Sequence, residues 1–491
     1  MNAVLKETDP ASTEVPTQAP VPAILQAQRL LALQKEAHLA DMTPSLDVRL
    51  ARLAKLKAMT EKHADAIVVA IAQDFGHRST HESRLAEIMM SLSAIKHTMR
   101  HVKQWMKPRR APTALPYRPA FNRILPQPLG VVGIVAPWNY PYQLAIGPAI
   151  GALAAGNRVM IKPSELCPRL SDLLQRIVAE SFAEDEVAVV TGGVAEGQAF
   201  AELPFDHLVF TGSTAVGRLV AQAAARNLTP VTLELGGKSP AIFDESCDLR
   251  HAALRLAQGK LFNAGQTCIA PDYAFVPQKQ RQAFIASMQD AAASLYPRYL
   301  DNPDYTSIIS ERHLQRLQML LEDARSKGAQ IIPMGTSAEL QTSMDRRMAP
   351  SLVLDVNDGM KIMQEEIFGP LLPVKFYQDP AEAVSYINGH ARPLALYWFG
   401  TDKHRRDHIL RHTISGGVTV NDCLWHFGQE DQPFGGVGAS GTGAYHGEHG
   451  FRAFSKEKPV FYQSRLSGLP LLYPPYGKVF ELMFKLLKRI A

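Results

Sequence analysis

The stretch GVVGIVAPWNYPYQLAIGPAIGALAAGNRVMIK (130–162) decides the fold class of this chain. Its first seven residues are apolar and rich in β-branched side chains, which predicts a buried strand. A helix that ends at Gly156 and a second strand at 159–162 follow. The alternation continues with a helix, two strands and another helix at 168–182, 187–190, 206–210 and 214–225. Strands and helices that alternate at this spacing predict a parallel sheet of the dinucleotide-binding type.

A second alternating series follows PVTLELGG (230–237), so we predict an α/β protein with two doubly wound parallel-sheet domains. The boundary between them is expected near Glu234. Residues 22–106 carry apolar side chains three and four positions apart, which predicts a helical entry. The proline-rich stretch 108–128 predicts a small β arm suited to an inter-subunit contact, because proline cannot donate to a central strand.

These patterns divide the chain into domains and connecting segments. We predict a disordered arm at 1–21, a dinucleotide-binding domain at 22–108 and 131–233, a catalytic domain at 234–419, a bridging and oligomerisation segment at 109–130 and 420–465, and a C-terminal tail with an amphipathic helix at 466–491.

The composition is that of a large globular protein. With 491 residues and 46% hydrophobic content, the chain can bury several cores, which excludes a disordered or fibrous protein. The net charge of +5 is too small and too evenly spread for a dedicated nucleic-acid binder. No apolar run approaches the roughly 20 residues of a membrane-spanning helix, and no metal site is predicted.

The cysteines and the N-terminus indicate the compartment. The four cysteines, at 167, 247, 268 and 423, show no paired spacing, which favours a reducing environment. The first residues lack the basic start and apolar core of a secretion signal. We therefore expect a cytoplasmic protein.

Cys268 lies in FNAGQTCIAPDY (262–273), at the end of a predicted helix. A solitary cysteine is more often a small buried apolar residue than a nucleophile. The glycine and polar residues around Cys268 are poor core material, however, and a thiol with an ordinary pKa of about 8.5 needs only modest help to form a thiolate. We predict that Cys268 attacks carbonyl carbon.

Two polar side chains are candidates for the remaining catalytic roles. Glu234 stands in an apolar strand that ends at a Gly-Gly turn, where burial would raise its pKa towards that of a general base. The alternative is an ion pair between Glu234 and Lys238. Asn139, in APWNYP (136–141), lies beyond a strand and between two prolines that fix φ, so its amide is a candidate donor to an oxyanion. The alternative is an ordinary strand-to-helix turn.

A glycine-containing turn predicts a diphosphate site. VFTGSTAVG (209–217) combines a strand, a turn and a helix start, so amides at Ser213 and Thr214 would face a pyrophosphate. Gly212 and Gly217 lie five apart and lack the full GxGxxG spacing, so this motif alone is weak evidence.

Two further turns carry candidates for the riboses and the nicotinamide. In KPSE (162–165), Lys162 and Glu165 are candidates for ribose hydroxyls at the carboxyl edge of the sheet. In EEIFGP (365–370), Glu366 is a candidate for a second ribose and Phe368 for contact with nicotinamide. Taken singly, these are more often ordinary turn residues.

Together these segments give the chain a family resemblance. The chain resembles the aldehyde dehydrogenase superfamily over about residues 25–460, in motif order and spacing. The shared signatures are PWNYP, KPSE, FTGSTAVG, LELGGKSP, the Gln-Thr-Cys that ends at Cys268, EEIFGP and PFGGVGASG (433–441). Seven signatures in order do not arise by chance. The resemblance implies NAD- or NADP-dependent oxidation of an aldehyde to the carboxylic acid.

The resemblance also implies roles for individual residues. It implies Cys268 as the nucleophile, Asn139 with the Cys268 main-chain amide as the oxyanion hole, and Glu234 as the base for thioester hydrolysis. The implied cofactor contacts are Lys162 and Glu366 at the riboses, Gly212, Ser213 and Gly217 at the diphosphate and first helix, and Phe368 at the nicotinamide.

Finer features indicate a branch of the superfamily. CIAPDY after the nucleophile, PFGGVGASGTGAYHG (433–447) and FRAFS (451–455) resemble class 3 members, and LLYPPYGK (471–478) is similar to bacterial coniferyl aldehyde dehydrogenases. Class 3 members commonly pair as dimers and often accept both NAD and NADP. The resemblance therefore implies a homodimer and leaves the choice of cofactor open.

The substrate implied by this branch is an aromatic aldehyde such as coniferyl aldehyde, or a medium-chain aliphatic aldehyde. Tyr140, Phe434 and His426 are candidates for the lining of an aldehyde funnel. For His426, a hydrogen-bonded structural role is an equal alternative.

The segment YGKVFELMFKLLKRI (476–490) predicts a basic, amphipathic helix. Such a helix can lie in a membrane interface, where it would give a weak peripheral contact. The alternative is that this helix packs against its own domain or a partner subunit, and in a cytoplasmic enzyme this alternative is favoured.

Two other functions compete with aldehyde oxidation to the acid. A coenzyme A-acylating semialdehyde dehydrogenase also uses a cysteine thioester, but the hydrolytic base Glu234 would be wasted there. A non-catalytic dinucleotide-binding protein of the same fold is the second alternative. The complete set of Cys268, Glu234 and Asn139 argues against it.

Overall fold

The computed structural model describes residues 22–334 and 345–490. The predicted disordered arm at 1–21 lies outside the described residues. The predicted helical entry at 22–106 is confirmed, with one difference: a π-helical stretch at Arg84–Met89 interrupts it. The helices are α1 (Pro22–Ala40), α2 (Leu46–Asp74), α3 (Thr80–Ser83), α4 (Met90–Trp105), α5 (Gln143–Ala155), α6 (Pro168–Ser181), α7 (Val194–Ala201), α8 (Thr214–Ala225), α9 (Leu249–Leu261), α10 (Arg281–Leu295), α11 (Glu311–Ser326), α12 (Lys361–Gln364), α13 (Pro380–Asn388), α14 (Lys403–His412), α15 (Gly447–Ala453) and α16 (Lys478–Ile490).

The strands form three sheets. They are β1 (Arg109–Ala111), β2 (Phe121–Pro128), β3 (Val131–Val135), β4 (Arg158–Lys162), β5 (Val187–Val189), β6 (His207–Thr211), β7 (Val231–Glu234), β8 (Pro240–Phe243), β9 (Tyr273–Pro277), β10 (Gln330–Pro333), β11 (Ser351–Leu354), β12 (Leu371–Tyr377), β13 (Ala395–Phe399), β14 (Gly417–Val420), β15 (Gly441–Thr442) and β16 (Ser455–Tyr462).

The first sheet has the order β15-β7-β6-β3-β4-β5. Strands β3 to β7 pair in parallel, as the sequence predicts, and only the short β15 is antiparallel. The apolar run that decides the fold class forms β3, which is almost wholly buried between helices. Because parallel strands end at one edge, the residues that follow β3, β4, β6 and β7 meet there.

The second sheet has the order β10-β11-β12-β9-β8-β13-β14. All its strands pair in parallel except β10, which is antiparallel to β11 at the edge. The predicted α/β class with two parallel-sheet domains is therefore confirmed.

The third sheet is a small antiparallel arm of β1, β2 and β16. Strand β2 belongs to the proline-rich stretch, and its partner β16 comes from the C-terminal part of the chain. The sheets depart from the predicted domain bounds at several points: Glu234, expected to begin the catalytic domain, ends β7 of the first sheet, and Val420, expected in the bridging segment, ends β14 of the second. Residues 441–442, expected in the bridging segment, form β15 and pair with Glu234 and Leu233 of the first sheet. The assignment of separate cofactor-binding and catalytic domains stays a prediction.

The helix α5 shows how local sequence fixes the start of the site. It ends at Gly156, which has a left-handed φ of +94° as a C-cap requires. Asn157 then accepts hydrogen bonds from the amides of Leu129 and Gly130 and so joins the helix end to β3. At the other end of α5, the turn 136–142 links it to β3. We call this turn the Asn139 loop.

Among residues 22–334 and 345–490, no helix is both long enough and apolar enough to cross a bilayer.

Candidate active site

The nucleophile candidate lies on a tightly constrained loop. After α9, a 3-10 turn at Phe262–Gly265 leads to Cys268, and we call residues 262–269 the Cys268 loop. Asn263, Ala264 and Gly265 all have positive φ, at +53°, +52° and +76°. Two consecutive non-glycine residues in this region cost free energy, about 1–3 kcal/mol each. Backbone strain of this kind is typical of sites where one side chain must be held in place.

Cys268 is half-buried beside two carboxylates. Burial raises the pKa of the thiol well above its ordinary value, and the charges of Glu366 and Glu234 raise it further. Main-chain amides of Cys268 and Ile269 act in the opposite direction by donating to the sulfur. The thiol is therefore protonated at neutral pH in this state. The carboxylates beside Cys268 are groups of the kind that serve a cysteine nucleophile as acid–base partner.

Glu234 is the last residue of β7 and is only 2% exposed. Within the described part of the chain, its two carboxyl oxygens have no hydrogen-bond partner. Burial alone raises the pKa of Glu234 well above its ordinary value. The predicted alternative, an ion pair with Lys238, is wrong because Lys238 pairs with Asp272 instead.

Asn139 is 3% exposed and its amide is held against the Cys268 loop. Its Nδ2 donates to the main-chain carbonyl of Gln266, two residues before Cys268, at 3.2 Å. A primary amide carries two N–H groups, so one remains for a ligand. Gln266 in turn donates to the carbonyls of Asn263 and Ser307 at 3.0 Å each, which fixes the loop from its other side.

Lys162 and Glu165 lie at the carboxyl end of β4, where the sequence places them. Lys162 is buried, and its Nζ donates to the carbonyls of Pro163 at 2.9 Å and Gly192 at 2.8 Å. Burial lowers the pKa of Lys162, and the charge of Glu165 opposes that shift. Glu165 itself is exposed in the following turn.

The glycine turn after β6 has the geometry of a diphosphate site. Ser213 is the exposed N-cap of α8, and its hydroxyl accepts from the amide of Val216. A Cβ on Gly217 would lie 2.5 Å from the Leu235 side chain, which directly follows β7, so glycine here lets α8 pack closely against the sheet. Gly212 connects β6 to the helix, and its amide donates to the carbonyl of Glu234 at 3.0 Å. The N-terminus of α8 and the end of β4 thus meet at one edge, which fits a dinucleotide.

Glu366 and Phe368 approach this edge from the second sheet. The carboxylate of Glu366 lies directly against Gly236, where an added Cβ would meet Oε2 at 2.2 Å. Burial and the charge of Asp272 raise the pKa of Glu366 to about 8. Phe368 has a left-handed φ of +55°, and its ring meets Trp138 edge-on at 5.3 Å.

The three candidates for the aldehyde funnel lie in aromatic surroundings. The hydroxyl of Tyr140 shares a 2.6 Å hydrogen bond with Thr267, next to Cys268. Phe434 is 5% exposed and stacks on His426 at 6.0 Å. His426 shares a 2.8 Å hydrogen bond with Thr419, and burial lowers its pKa to about 4, so it is neutral. Their role in substrate binding stays a prediction, and the structural alternative for His426 has direct support.

Sequence reasoning missed a buried charged cluster beneath the Asn139 loop. Arg78, Glu82 and Glu87 are all buried and contact the Asn139 loop or the Cys268 loop. One signal was present: Glu87 lies four residues before Ser91, on a helical stripe of otherwise small or apolar buried residues. A carboxylate on such a stripe requires a buried partner.

A model of the aldehyde dehydrogenase family matches residues 3–460, nearly the whole chain. The chain belongs to the aldehyde dehydrogenase family. The relative from Pseudomonas aeruginosa named "Probable coniferyl aldehyde dehydrogenase" is 51% identical over 467 residues, which are 95% of this chain and 97% of the relative. Members of aldehyde dehydrogenase family 3 are also among its relatives.

Solved structures agree with this membership. The substrate-bound state of Staphylococcus aureus AldH has a TM-score of 0.88 and 36% identity, and the match covers 94% of this chain and 99% of that one. Mycobacterium tuberculosis aldehyde dehydrogenase complexed with NAD+ has a TM-score of 0.80 and 28% identity, with 90% and 91% covered. The predicted family and activity are confirmed: the protein is an NAD(P)-dependent aldehyde dehydrogenase.

Proposed function

We propose that this aldehyde dehydrogenase oxidises its substrate through a thioester on Cys268. The observation that carries the proposal is the position of Cys268: its thiol lies close enough to Glu234 and Glu366 for both carboxylates to raise its pKa. A half-buried thiol near an amide-bearing loop and an unpartnered carboxyl has the parts that covalent catalysis on a carbonyl needs.

Three residues of the chain carry the first half of the reaction. Glu234 accepts the proton of the Cys268 thiol, and the thiolate forms a bond to the carbonyl carbon of the aldehyde. The resulting oxyanion accepts hydrogen bonds from the free N–H of Asn139 and the main-chain amide of Cys268. NAD(P)+, when bound, supplies the acceptor for the hydride that leaves this carbon. Cys268 then holds the acyl group as a thioester.

The second half releases the acid. Glu234, after losing its first proton to solvent, removes a proton from a water molecule, and the hydroxide adds to the thioester carbon. The carbon–sulfur bond breaks and the carboxylate leaves. A carboxyl whose pKa is raised by burial is a stronger base once ionised than an exposed one, which suits Glu234 to this step.

The cofactor contacts follow from the edge of the first sheet. Lys162 and Glu366 would hold the two riboses, with Glu165 beside the first. Gly212 and Ser213 would receive the diphosphate at the start of α8, and Gly217 would let this first helix pack closely against the sheet. Phe368, fixed against Trp138, would position the nicotinamide.

The decisive experiment uses purified enzyme with an aromatic aldehyde, each cofactor and no coenzyme A. NADH or NADPH and free acid are expected, and Cys268→Ser should abolish both. Product formation that requires coenzyme A would instead indicate an acyl-transferring enzyme. An active Cys268→Ser variant would overturn the thioester.

For the substrate, we propose an aromatic aldehyde such as coniferyl aldehyde. The name of the Pseudomonas aeruginosa relative and the aromatic surroundings of Phe434 and His426 support this. The test compares kcat/KM for coniferyl aldehyde, benzaldehyde and a medium-chain aliphatic aldehyde. A preference for the aliphatic substrate would contradict the proposal.

We further propose that the enzyme is a homodimer that associates through its β arm. Support comes from exposed aromatic rings on that arm: Phe121 of β2 stacks on Tyr462 of β16 at 4.6 Å, and both are exposed. Exposed aromatic pairs are enriched at protein interfaces. Light scattering after size-exclusion chromatography should give twice the chain mass, and Phe121→Glu with Tyr462→Glu should halve it. A monomeric wild-type enzyme would contradict the dimer.

The C-terminal helix α16 is proposed to contact anionic lipid. Every side chain from 478 to 489 is exposed or half-buried, and the helix packs mainly against the preceding turn at 469–472. Its apolar side chains cover one broad face, and the narrower polar face carries Lys478, Lys485, Lys488 and Arg489 against the single acid Glu481. Such a face suits an acidic bilayer surface.

Vesicle binding distinguishes anionic lipid from a second copy of the chain as the partner of α16. The full-length enzyme should sediment with vesicles that contain phosphatidylglycerol and not with pure phosphatidylcholine, and a variant that lacks 476–491 should not sediment. Loss of the dimer in the truncated variant, with no lipid binding by the full chain, would show instead that α16 contacts the partner subunit.

We place the enzyme in the cytoplasm. All four cysteines fall within the described residues and are unpaired, which suits a reducing compartment. Cell fractionation followed by activity assay should recover it with cytoplasmic markers. Recovery outside the cytoplasmic fraction would contradict this localisation.

A further inference from the structure

We propose that Arg78 is a positioning residue for Asn139, and that the buried carboxylates Glu82 and Glu87 hold the two catalytic loops against each other. This inference rests on the proposed role of Asn139 as oxyanion donor. Arg78 touches neither substrate nor cofactor in this account. It acts through the main chain of the residue that does.

The main-chain carbonyl of Asn139 is held from two directions. It accepts a hydrogen bond from Arg78 Nη1 at 2.9 Å and another from Asn263 Nδ2 at 3.1 Å. Asn263 Nδ2 also donates to the carbonyl of Gln266 at 3.1 Å, and the Asn139 side chain donates to that same carbonyl. Asn139 is thus fixed at its backbone and at its side chain, and both points connect to the Cys268 loop.

Arg78 is itself rigidly placed. It is 1% exposed, and its Nη1 lies 3.1 Å from Oε1 of the equally buried Glu87. The guanidinium carbon lies 4.9 Å from the ring centres of both Phe75 and Tyr140. A guanidinium held by a buried carboxylate and by aromatic rings has little freedom. Since Tyr140 follows Asn139 in the chain, Arg78 contacts two consecutive residues of the Asn139 loop.

Glu87 connects this cation to the helix that follows the loop. Its Oε2 accepts from the amides of Tyr142 at 3.1 Å and Gln143 at 2.8 Å, where α5 begins. These amides have no partner within a helix, so a carboxylate there satisfies them and favours that position of the helix start. Glu87 lies in the π-helical stretch, a type of distortion that is frequent at functional sites.

Glu82 likewise accepts hydrogen bonds that hold the Cys268 loop in place. It accepts from the amide of Asn263 at 2.9 Å, the hydroxyl of Thr306 at 3.2 Å and the hydroxyl of Tyr296 at 3.0 Å. The Asn263 amide belongs to the left-handed segment that precedes Cys268. Glu82 and Glu87 therefore fasten two loops from distant parts of the chain to one helical support, with Arg78 between them.

A double-mutant cycle tests whether Arg78 acts through Asn139 or only stabilises the fold. The variants are Arg78→Lys, Asn139→Ala and both together, and kcat and KM are measured with saturating cofactor. Loss of an oxyanion donor costs about 100- to 1,000-fold in kcat. We expect Arg78→Lys to lower kcat about 10- to 100-fold with KM nearly unchanged. The double variant should be no slower than Asn139→Ala alone, because the two changes remove the same interaction.

Arg49→Lys is the matched control. Arg49, on helix α2, is another buried arginine that contacts α5, but it donates to the carbonyls of Ala154 and Ala155 at the end of α5 away from Asn139. Arg49→Lys should lower the thermal midpoint as Arg78→Lys does and leave kcat within about threefold. If both variants lose kcat in proportion to their stability, the positioning role is wrong.

The remaining outcomes are equally informative. If Asn139→Ala is impaired and the effects of the two substitutions multiply, Arg78 does not act through Asn139 and this inference fails alone. If Asn139→Ala keeps wild-type kcat, the proposed oxyanion role fails as well. Should Arg78→Lys not fold, Glu87→Gln enters the same cycle, because it removes the counter-charge of Arg78 and retains an acceptor for Tyr142 and Gln143.

Discussion

The ammonium of Lys238 pairs with the carboxylate of Asp272, in the loop that follows Cys268. The other oxygen of Asp272 accepts from the amide of Ile367 at 2.9 Å, next to Glu366. Lys238 also donates to the carbonyls of Ile362 and Glu365 at 2.8 and 3.0 Å. The pair therefore fixes the segment that carries Glu366 and leaves Glu234 with no ion pair among the described residues. Glu366 thus lies on a segment fixed by the Lys238–Asp272 pair, whereas Glu234 does not, and these two carboxylates have different roles.

Replacement of the base should trap the acyl-enzyme. Glu234→Gln is expected to lower kcat about 100-fold or more, because general-base catalysis contributes factors of that size. The first turnover should survive as a slower burst of about one NADH per site, because solvent can take the thiol proton in place of Glu234 and hydride transfer precedes hydrolysis. Stopped-flow absorbance measures the burst. Glu430→Gln, another carboxyl whose pKa burial raises, to about 7, is the control and should turn over normally.

The pH dependence of kcat should report the ionisation of Glu234. A base must be ionised, and burial raises the pKa of Glu234 above its ordinary value. kcat should therefore fall as the pH drops through that raised pKa, at a pH well above the ordinary carboxyl range. In Glu234→Gln this limb should be absent from the residual rate. An identical limb in both proteins would assign it to another group.

Gly236 should be intolerant of even a methyl group. A Cβ there would meet Glu366 Oε2 at 2.2 Å and displace the proposed ribose ligand. Gly236→Ala is expected to raise KM for the cofactor about tenfold or more, the effect of about 1.4 kcal/mol of lost binding. Gly197→Ala, in helix α7 with no atom within 4 Å of the added carbon, is the control. It should leave KM unchanged.

Glu366 should make stability depend on pH. Its pKa is raised to about 8 in the folded protein, so between the ordinary carboxyl pKa of about 4.3 and pH 8 the folded state binds more protons than the unfolded state. Its contribution to stability is present at low pH and is lost as the pH rises to about 8. Glu366→Gln lacks this loss, so its thermal midpoint should rise relative to wild type from pH 5 to pH 8.

Calorimetry without cofactor measures that difference. Glu365→Gln, on the exposed neighbour, is the control. A Glu366→Gln midpoint that follows the wild type in parallel across this range would show that Glu366 titrates normally. In the same variant, cofactor affinity should fall.

The sequence predicted the parts of the site that are short, local and chemically distinctive. The strand ends at Lys162 and Glu234 follow from apolar runs that stop at turn residues, and the parallel pairing then places both at the same edge of the first sheet. Lys238 shows the limit of this reasoning. It lies four residues after Glu234 in sequence, yet its partner Asp272 comes from a loop whose course only the fold defines.

The sequence did not predict the long-range polar contacts either, because they also depend on the course of the chain in the fold. Arg78 and Asn139 are 61 residues apart, and no periodicity relates them. Strand β15 is two residues long and lies in a glycine-rich stretch, so no propensity marks it. Its position against Glu234 depends on close approach of main chains, as at Gly441, where an added Cβ would meet the carbonyl of Leu233 at 2.2 Å.

The central claim is that one sulfur atom carries the acyl group after the hydride has left. Mass spectrometry of Glu234→Gln, quenched in acid during turnover with an aromatic aldehyde and digested, tests it most directly. The peptide that contains Cys268 should gain the mass of the acyl group, with unmodified Cys167, Cys247 and Cys423. An adduct on another residue, or a full burst of NADH with no adduct, would contradict the account.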